Sequence, residues 1–500
     1  MMNKFPLKKD NNSHIIKKRV EHNWSEYQKN VFRSIASGSG HLIVEAYAGS
    51  AKTTSIIESF RYVPRGKRVL ALAFNKIIAS ELKSRAPSYV QDVLTFHALG
   101  YRSLKQKFGN IELDEYKVQN ILKEIIGDEK NYDLIDNLCQ TISFCKYSLQ
   151  DTPKQIDEII DRFGIDLCEM DRGKFISLVV KTLGINKKIV NKINFDDMCF
   201  MPFVHNLSLG TYQYIYCDEF QDANKSQLVM AKKACDPNGG RIIAVLDPNQ
   251  ALYSWRCADT TILEDLKQQE GTKTLPLPIS YRCPKSIIEL AQNWVPDITC
   301  PETAIEGEIK DISLNELYKL VRPGCFILSR TNAPLIKICM TLISKYGIKA
   351  NIRGRDIGKQ LGYLIKKSKK KRVDAFLKWL EKWKDEEVVR LQAKRINTEN
   401  TLDRYECLVN LCAECKTLEE VADKVDELFN DTDENNIVIL SSVHRAKGLE
   451  RNDVFVLRWT FRVWFDQMHL IEKPNEEANI AYVAVSRSRK KLFVVHKAIV

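Results

Sequence analysis

The sequence predicts an α/β protein of two domains, each a parallel sheet flanked by helices and each carrying a mostly helical insertion. Three observations lead there. Short β-branched runs recur in two sets with helical segments between them; two long stretches are rich in helix formers and charge; and one run ends in a small-residue turn followed by Lys-Thr-Thr. The first set is "HLIVEA" (41–46), "RVLALAF" (68–74), "YIYCDE" (214–219) and "RIIAVLD" (241–247). The second is "CFILSR" (325–330), "NIVILSSV" (436–443), "DVFVLRW" (453–459) and "KLFVVHK" (491–497). Continuous apolar runs of this length belong to strands buried on both faces, as in parallel sheets.

Residues 101–195 and 361–430 offer no strand series and read as the insertions. They divide the chain into a first domain (1–100 with 196–280) and a second (281–360 with 431–500). The length of 500 residues supports the division, because one hydrophobic core rarely grows past about 250–300 residues.

Composition narrows the class. With 44% hydrophobic and 28% charged residues, the chain has the make-up of a soluble globular protein. Its first twenty residues are basic but lack the apolar core of a signal peptide, and no apolar run reaches the roughly 18 residues of a membrane span. An intracellular setting without a membrane partner is expected: cytoplasm or nucleoid, or nucleus or viral factory for a eukaryotic or viral source. Fourteen cysteines at irregular spacing then read as reduced thiols. Cys407, Cys412 and Cys415 lie close together without a nearby fourth ligand, so one face of a helix is preferred over a metal site.

The net charge of +12 is concentrated. "KKSKKKR" (366–372) holds six cations in seven positions, ahead of an amphipathic run with Val373, Phe376, Leu377 and Leu380 at helical spacing. A solvated helix start and a nuclear-import signal are both open readings. The overall basicity favours a polyanion, most simply nucleic acid.

The chemistry begins at "EAYAGSAKTT" (45–54). A strand, a turn and a helix follow one another as in a phosphate-binding loop, but alanine stands at both glycine positions, Ala46 and Ala51. Backbone amides of Ala48, Gly49, Ser50 and Ala51 and the helix start would hold phosphates; Lys52 would reach the β- and γ-phosphates; Thr53 would bind Mg²⁺, with Thr54 beside it. Ala51 adds a methyl where the chain needs positive φ, a cost of about 1 kcal/mol that weakens binding without abolishing it. In "YIYCDEFQDAN" an apolar strand delivers Asp218 and Glu219 at its carboxyl end, the ligand edge of an open parallel sheet. Adjacent acids there are often only solvated turn residues. Beside a phosphate loop they read as a Mg²⁺ ligand, Asp218, and a base for water, Glu219.

The ordered series "AYAGSAKTT", "AFNK", "TFHALGYR", "DEFQD", "LDPNQALYSWRCAD", "SYRCP", "LSRTN", "SSVHRAKGLE" and "AYVAVSRSR" resembles the motifs of superfamily 1 DNA helicases of the UvrD/Rep/PcrA type, and within them the F-box DNA helicases and their viral or phage relatives. The resemblance runs from Gln28 to Lys491 and implies two RecA-like P-loop domains, ATP and Mg²⁺ as cofactors, and movement on DNA. It also implies residue roles. Gln28 would read adenine and Tyr281 stack on it; Arg282 and Gln250 would touch the γ-phosphate; Glu450, beside Gly448, would meet the ribose; Arg487 would be the arginine finger.

On the DNA side the resemblance assigns Phe74, Asn75, Tyr253, Trp255 and Arg256 to bases and backbone, and Thr95, His97, Ser442 and His444 to the phosphate chain. Taken without it, the aromatics read as core residues, as most aromatics are. Departures are Ala51, Leu246 in place of a glycine, Ser442 and Ser486 where threonine is usual, and a short second insertion. The implied activity is an ATP-dependent helicase or translocase, 3′ to 5′, acting on single-stranded DNA and tailed duplexes as a monomer or weak oligomer. Two alternatives remain: a DNA-binding ATP switch disabled by Ala51, and a translocase that strips proteins from single strands without unwinding.

If the lysine run meets phosphates, neutralising several of Lys366, Lys367, Lys369, Lys370 and Lys371 will flatten the salt dependence of single-strand binding, by about 0.7 in slope for each phosphate that no longer has a cation. An unchanged slope would return the run to one of its two other readings.

Overall fold

The computed structural model describes residues 23–127, 132–252, 261–393, 398–413, 415–429, 436–464 and 476–497. In chain order the strands are β1 (Leu42–Ala46), β2 (Val69–Ala73), β3 (Asp92–Thr95), β4 (Glu112–Leu113), β5 (Lys192–Ile193), β6 (Tyr214–Cys217) and β7 (Arg241–Leu246), then β8 (Lys273–Leu277), β9 (Glu308–Ser313), β10 (Phe326–Ser329), β11 (Ala350–Ile352), β12 (Val438–Ser442), β13 (Arg451–Leu457) and β14 (Ser488–His496). Two six-stranded sheets result, β3-β2-β6-β7-β1-β8 and β11-β12-β10-β13-β14-β9, and every pairing in them is parallel. The α/β class with parallel sheets flanked by helices is therefore as the sequence predicts.

The eight strands read from sequence are the inner four of each sheet. β1, β2, β6 and β7 are almost wholly buried, as are β10 and β12, so their residues are apolar on both faces. The four strands without that signal are the four edges. β3 is half-buried throughout, β8 contains Pro276, β9 reads "EIKDIS", and β11 has three residues. An edge strand has one unpaired side, which tolerates proline and charge and removes the continuous apolar run.

Helices Lys117–Ile126, Tyr132–Ser148, Pro153–Phe163 and Arg172–Lys188 lie between β4 and β5, whose short parallel pairing closes their base. Pro153–Phe163 shows how sequence sets such a helix. Thr152 and Gln155 form a capping box, Pro153 occupies the first turn, Gly164 ends it at φ 57°, and Ile156, Ile159 and Ile160 face inward. These helices share a core of their own, including Leu138, Ile142 and Phe175. Close packing fastens the flanking helices Phe96–Phe108 and Phe195–Val204 together: a Cβ on Gly100 would overlap the Met198 carbonyl oxygen.

Helices Arg355–Ser368, Val373–Ala393, Glu399–Cys412 and Leu418–Leu428 lie between β11 and β12. Phe376, Leu380, Leu408 and Val421 join the same apolar cluster as Ile327 and Leu440 of the second sheet. Cys407 and Cys412 are buried in that cluster on one helix. The lysine run is not a helix start. Lys366 and Lys367 form the last turn of Arg355–Ser368, where cations favour the helix dipole, and Lys369 terminates it at φ 52°. Lys367 donates to Asp133 of the first helical group at 2.9 Å, and Arg372 pairs with Asp374.

One polar cluster lies deep in the structure. Asp197 receives Lys117 and Lys146 at 2.8 Å each, both ammoniums being almost wholly buried, and Asn186 donates a third bond to it at 2.8 Å. Burial alone would raise the Asp197 carboxyl; the two ammoniums outweigh it and hold the carboxyl below its ordinary 3.8. Lys117 moves down as well, because burial and the like charge of Lys146 oppose its share of one carboxylate. This contribution to stability is complete above the ordinary carboxylate value and is lost as pH falls through the depressed one. Asp197→Asn, which leaves two buried ammoniums without a counter-charge, is predicted to lower the unfolding free energy by about 3–5 kcal/mol in denaturant titration. A change under about 1 kcal/mol would contradict the assignment.

Candidate active site

β1 ends at Ala46, and the turn Tyr47–Ala51 leads into helix Lys52–Ser59. The turn needs unusual backbone. Gly49 has φ 76°, and a Cβ there would meet Ser280 Oγ at 2.5 Å and Arg282 Cβ at 2.6 Å. Ala51 has φ 59° and ψ 39°, the left-handed conformation that a side chain disfavours, so its methyl is accommodated at a cost. Two buried polar groups at the turn have no hydrogen-bond partner among the described residues: Ser50 Oγ and Lys52 Nζ. The carboxylate of Glu219 is 3.7 Å from Lys52. Orphaned donors at a helix start are the arrangement a phosphate would satisfy, but the Ala48 and Ser50 amides, also expected to hold phosphate, are engaged by the Tyr482 hydroxyl at 2.9 Å and the Tyr47 carbonyl at 3.1 Å.

β6 delivers the two carboxylates. Asp218 Oδ1 accepts from the Glu219 amide at 2.9 Å, and Glu219 takes the left-handed conformation, φ 51°. Such an outlier in a cleft marks a position that the surroundings impose. Burial and the neighbouring Glu219 charge push Asp218 well above the usual carboxylate range. Burial pushes Glu219 up as well, but the ammoniums of Lys52 and Lys447 and a bond from Gln221 overcome it and keep Glu219 ionised. Gln221 donates to Glu219 Oε2 at 2.5 Å and accepts the Asp247 amide at 3.1 Å, and Gln250 donates to Asp247 Oδ2 at 2.6 Å. Asp218, buried at the end of β6, and Thr53, half-buried on the first helical turn, offer hard oxygens of the kind that fits Mg²⁺ completed by phosphate and water.

The second sheet's elements close the cleft from the other side. Arg282 pairs with Glu450, which also receives Arg489. Arg487 is buried, with Nε donating to Val483 O at 3.0 Å, Nη1 to Leu449 O at 3.3 Å and Nη2 to Ser486 Oγ at 3.1 Å. Burial, then the like charge of Arg282, lowers Arg487 to about 10. Lys447, just before Gly448 (φ 85°), donates to Asp222 Oδ2 at 2.6 Å and to the Gln250 carbonyl at 2.7 Å. Asp222 is nonetheless pushed up to about 6, because burial outweighs the lysine. At the outer end Gln28 and Tyr281 meet: the phenol donates to Gln28 Oε1 at 3.4 Å, Gln28 donates to Ser55 at 2.9 Å, and the tyrosine is 46% exposed. An exposed ring beside a buried amide has the make-up of a base-stacking pocket.

Other sequence-derived candidates have mainly local partners. Thr54 Oγ1 accepts from Arg85 at 3.2 Å. Asn75 Oδ1 accepts the Ile78 amide at 2.9 Å, and Thr95 Oγ1 the Ala98 amide at 3.1 Å, so both cap helices. Phe74 and His97 are half-buried past the ends of β2 and β3; burial lowers the His97 imidazole, whose ring meets Phe195 edge-on. Ser442 ends β12, and His444 Nε2 is 3.6 Å from Glu476. Tyr253, Trp255 and Arg256 lie outside the described residues. Sequence reasoning passed over Gln221, Asp222, Asp247, Lys447 and Tyr482. Each sits inside a quoted motif, and a polar side chain within a motif was the available signal.

Residues 24–270 match the family model described as UvrD/REP helicase N-terminal domain. The chain is 25% identical over 332 residues to a probable DNA helicase II homolog of Mycoplasma genitalium, covering 60% of this chain and 46% of the relative. It is 27% identical over 287 residues to ATP-dependent DNA helicase PcrA of Bacillus subtilis (52% and 38%), and 27% over 296 residues to ATP-dependent DNA helicase Rep of Buchnera aphidicola (54% and 42%). The matched stretches thus span less than half the length of these relatives. The two sheets are the cores of two RecA-like α/β units, and the chain is similar to the UvrD-type superfamily 1 helicases, its residues 24–270 corresponding to their N-terminal domain.

Proposed function

We propose that the chain is an ATP-dependent DNA helicase or single-strand translocase that hydrolyses ATP between its two α/β units. The observation that carries this is the meeting of Lys52, Asp218 and Glu219 from one unit with Arg282, Lys447 and Arg487 from the other, all on one buried cleft. Lys52 and the amides of the helix start bind the β- and γ-phosphates. Thr53 and Asp218 hold Mg²⁺, which when bound neutralises phosphate charge. Glu219, kept ionised and aimed by Gln221, takes a proton from the attacking water. Arg487 leaves the Val483 and Leu449 carbonyls to meet charge developing on the transferred phosphoryl group, so turnover depends on how the units sit together.

On the same reading, Phe74, Trp255, the strand-end residues Thr95 and Ser442, and His97 and His444 of the helices that follow them form the single-strand path, with 3′ to 5′ polarity. Single-stranded DNA and tailed duplexes are the partners, in an intracellular setting. No helix among the described residues is long and apolar enough to cross a membrane. The likeness to F-box helicases and their viral relatives belongs to this proposal too; it rests on the motif spellings. Displacement of a strand from a tailed duplex, compared with displacement of a bound protein, separates unwinding from protein stripping.

Lys52→Ala and Glu219→Gln are each predicted to remove DNA-stimulated hydrolysis, but to fail differently. Loss of Lys52 also weakens nucleotide binding. Glu219→Gln still binds ATP and DNA, with a rate reduced about 10²–10⁴-fold, as measured by phosphate release and equilibrium nucleotide binding. Normal turnover in Glu219→Gln would refute the assignment.

Ala51→Gly relieves a non-glycine residue at positive φ, worth about 1 kcal/mol, and is predicted to change KM for ATP by no more than about tenfold with kcat nearly constant. Activation by several orders of magnitude from an inert wild type would establish the disabled-switch reading instead.

A further inference from the structure

The phosphate loop is not enclosed by its own unit. Tyr47 and Ala48 are 9% and 0% exposed, and they pack into an apolar cluster supplied mostly by the second unit, including Ile287, Val443, Tyr482 and Val485. Helix Glu476–Val485 makes the polar part of this seat. The Ala48 amide donates to the Tyr482 hydroxyl at 2.9 Å, that hydroxyl donates to Asp247 Oδ2 at 3.4 Å, and Asn479, one turn earlier, donates to the Ala251 carbonyl at 3.2 Å. The helix therefore rests on the first unit at three points, two of them through one phenol. Arg487 follows two residues beyond the helix and is tied back to it through Val483.

We propose that Tyr482 is a positioning residue: its hydroxyl fastens the phosphate loop and Asp247 to the helix that carries Arg487, so that loop geometry and arginine placement are set together. A phenol suits this task because it accepts from one side and donates to the other without charge. Burial raises its pKa well above 10, so it keeps its proton across the working range. Asp247 already accepts from Gln250, so the same hydroxyl reaches a second residue facing the cleft. Phenylalanine would fill the same volume but leave a buried amide without an acceptor and take a donor from Asp247.

The inference rests on the hydrolysis reading for its kinetic half only. In Tyr482→Phe, hydrogen exchange at the Ala48 amide is expected to quicken about tenfold without nucleotide, with the thermal midpoint lowered by only a few degrees. DNA-stimulated kcat is expected to fall about tenfold while KM for ATP moves less than about twofold, because the loop and Lys52 still bind nucleotide and only the meeting with Arg487 suffers. In an Arg487→Lys background the same substitution should cost little more, since both act on one placement. Unchanged exchange at Ala48 would overturn the contact. Unchanged kcat, an equal loss in nucleotide affinity, or a fully additive loss with Arg487→Lys would overturn the coupling. Exchange needs no turnover, so an inert wild type would sink the hydrolysis reading while the exchange result still decides the contact.

Discussion

The cleft depends on a balance of buried charge that neither α/β unit satisfies alone. Glu219 stays ionised because Lys52 stands beside it from its own unit and Lys447 approaches from the other. Asp222 meets the Lys447 ammonium across the cleft, at 2.6 Å. Separating the units would part Lys447 from Asp222 and Glu219. The closed arrangement joins the units through that ion pair and through the apolar seat of Tyr47 and Ala48.

On the proposed function, the same balance would tie nucleotide chemistry to the placement of the two units. Glu219 answers to Lys52, and Arg487 is lowered by burial and by Arg282, so any added anion in the cleft competes for cations already engaged with protein carboxylates or carbonyls. A phosphate that draws Lys52 or Lys447 to itself must loosen Glu219 or Asp222. The parallel sheets make this possible by bringing the carboxyl ends of β1, β6 and β7 to one edge and setting the second unit against it.

How much of this could be read from sequence follows from where each residue sits. The inner strands of both sheets are legible because burial on two faces demands continuous apolar runs, while β3, β8, β9 and β11 escape because edges accept proline, charge and brevity. The phosphate loop and the Asp218–Glu219 pair are legible because strand, turn and helix follow within ten residues. The contacts that join the units are not. Ala48 and Tyr482 are 434 positions apart and Asp222 and Lys447 are 225 apart, and no local pattern marks two residues as neighbours across a fold. The lysine run illustrates a different limit: composition registers its charge but not that Lys369 turns the chain between two helices.

Hydrolysis of ATP by this closed, charge-balanced cleft in response to DNA is the central claim. Phosphate release by the unmodified protein, followed with ATP and Mg²⁺ in the presence and absence of single-stranded DNA, tests it most directly. Turnover is predicted to rise when single-stranded DNA is added. Nucleotide that binds tightly yet yields no phosphate with or without DNA would contradict the claim, and would leave Ala51 as the residue that holds the loop inactive.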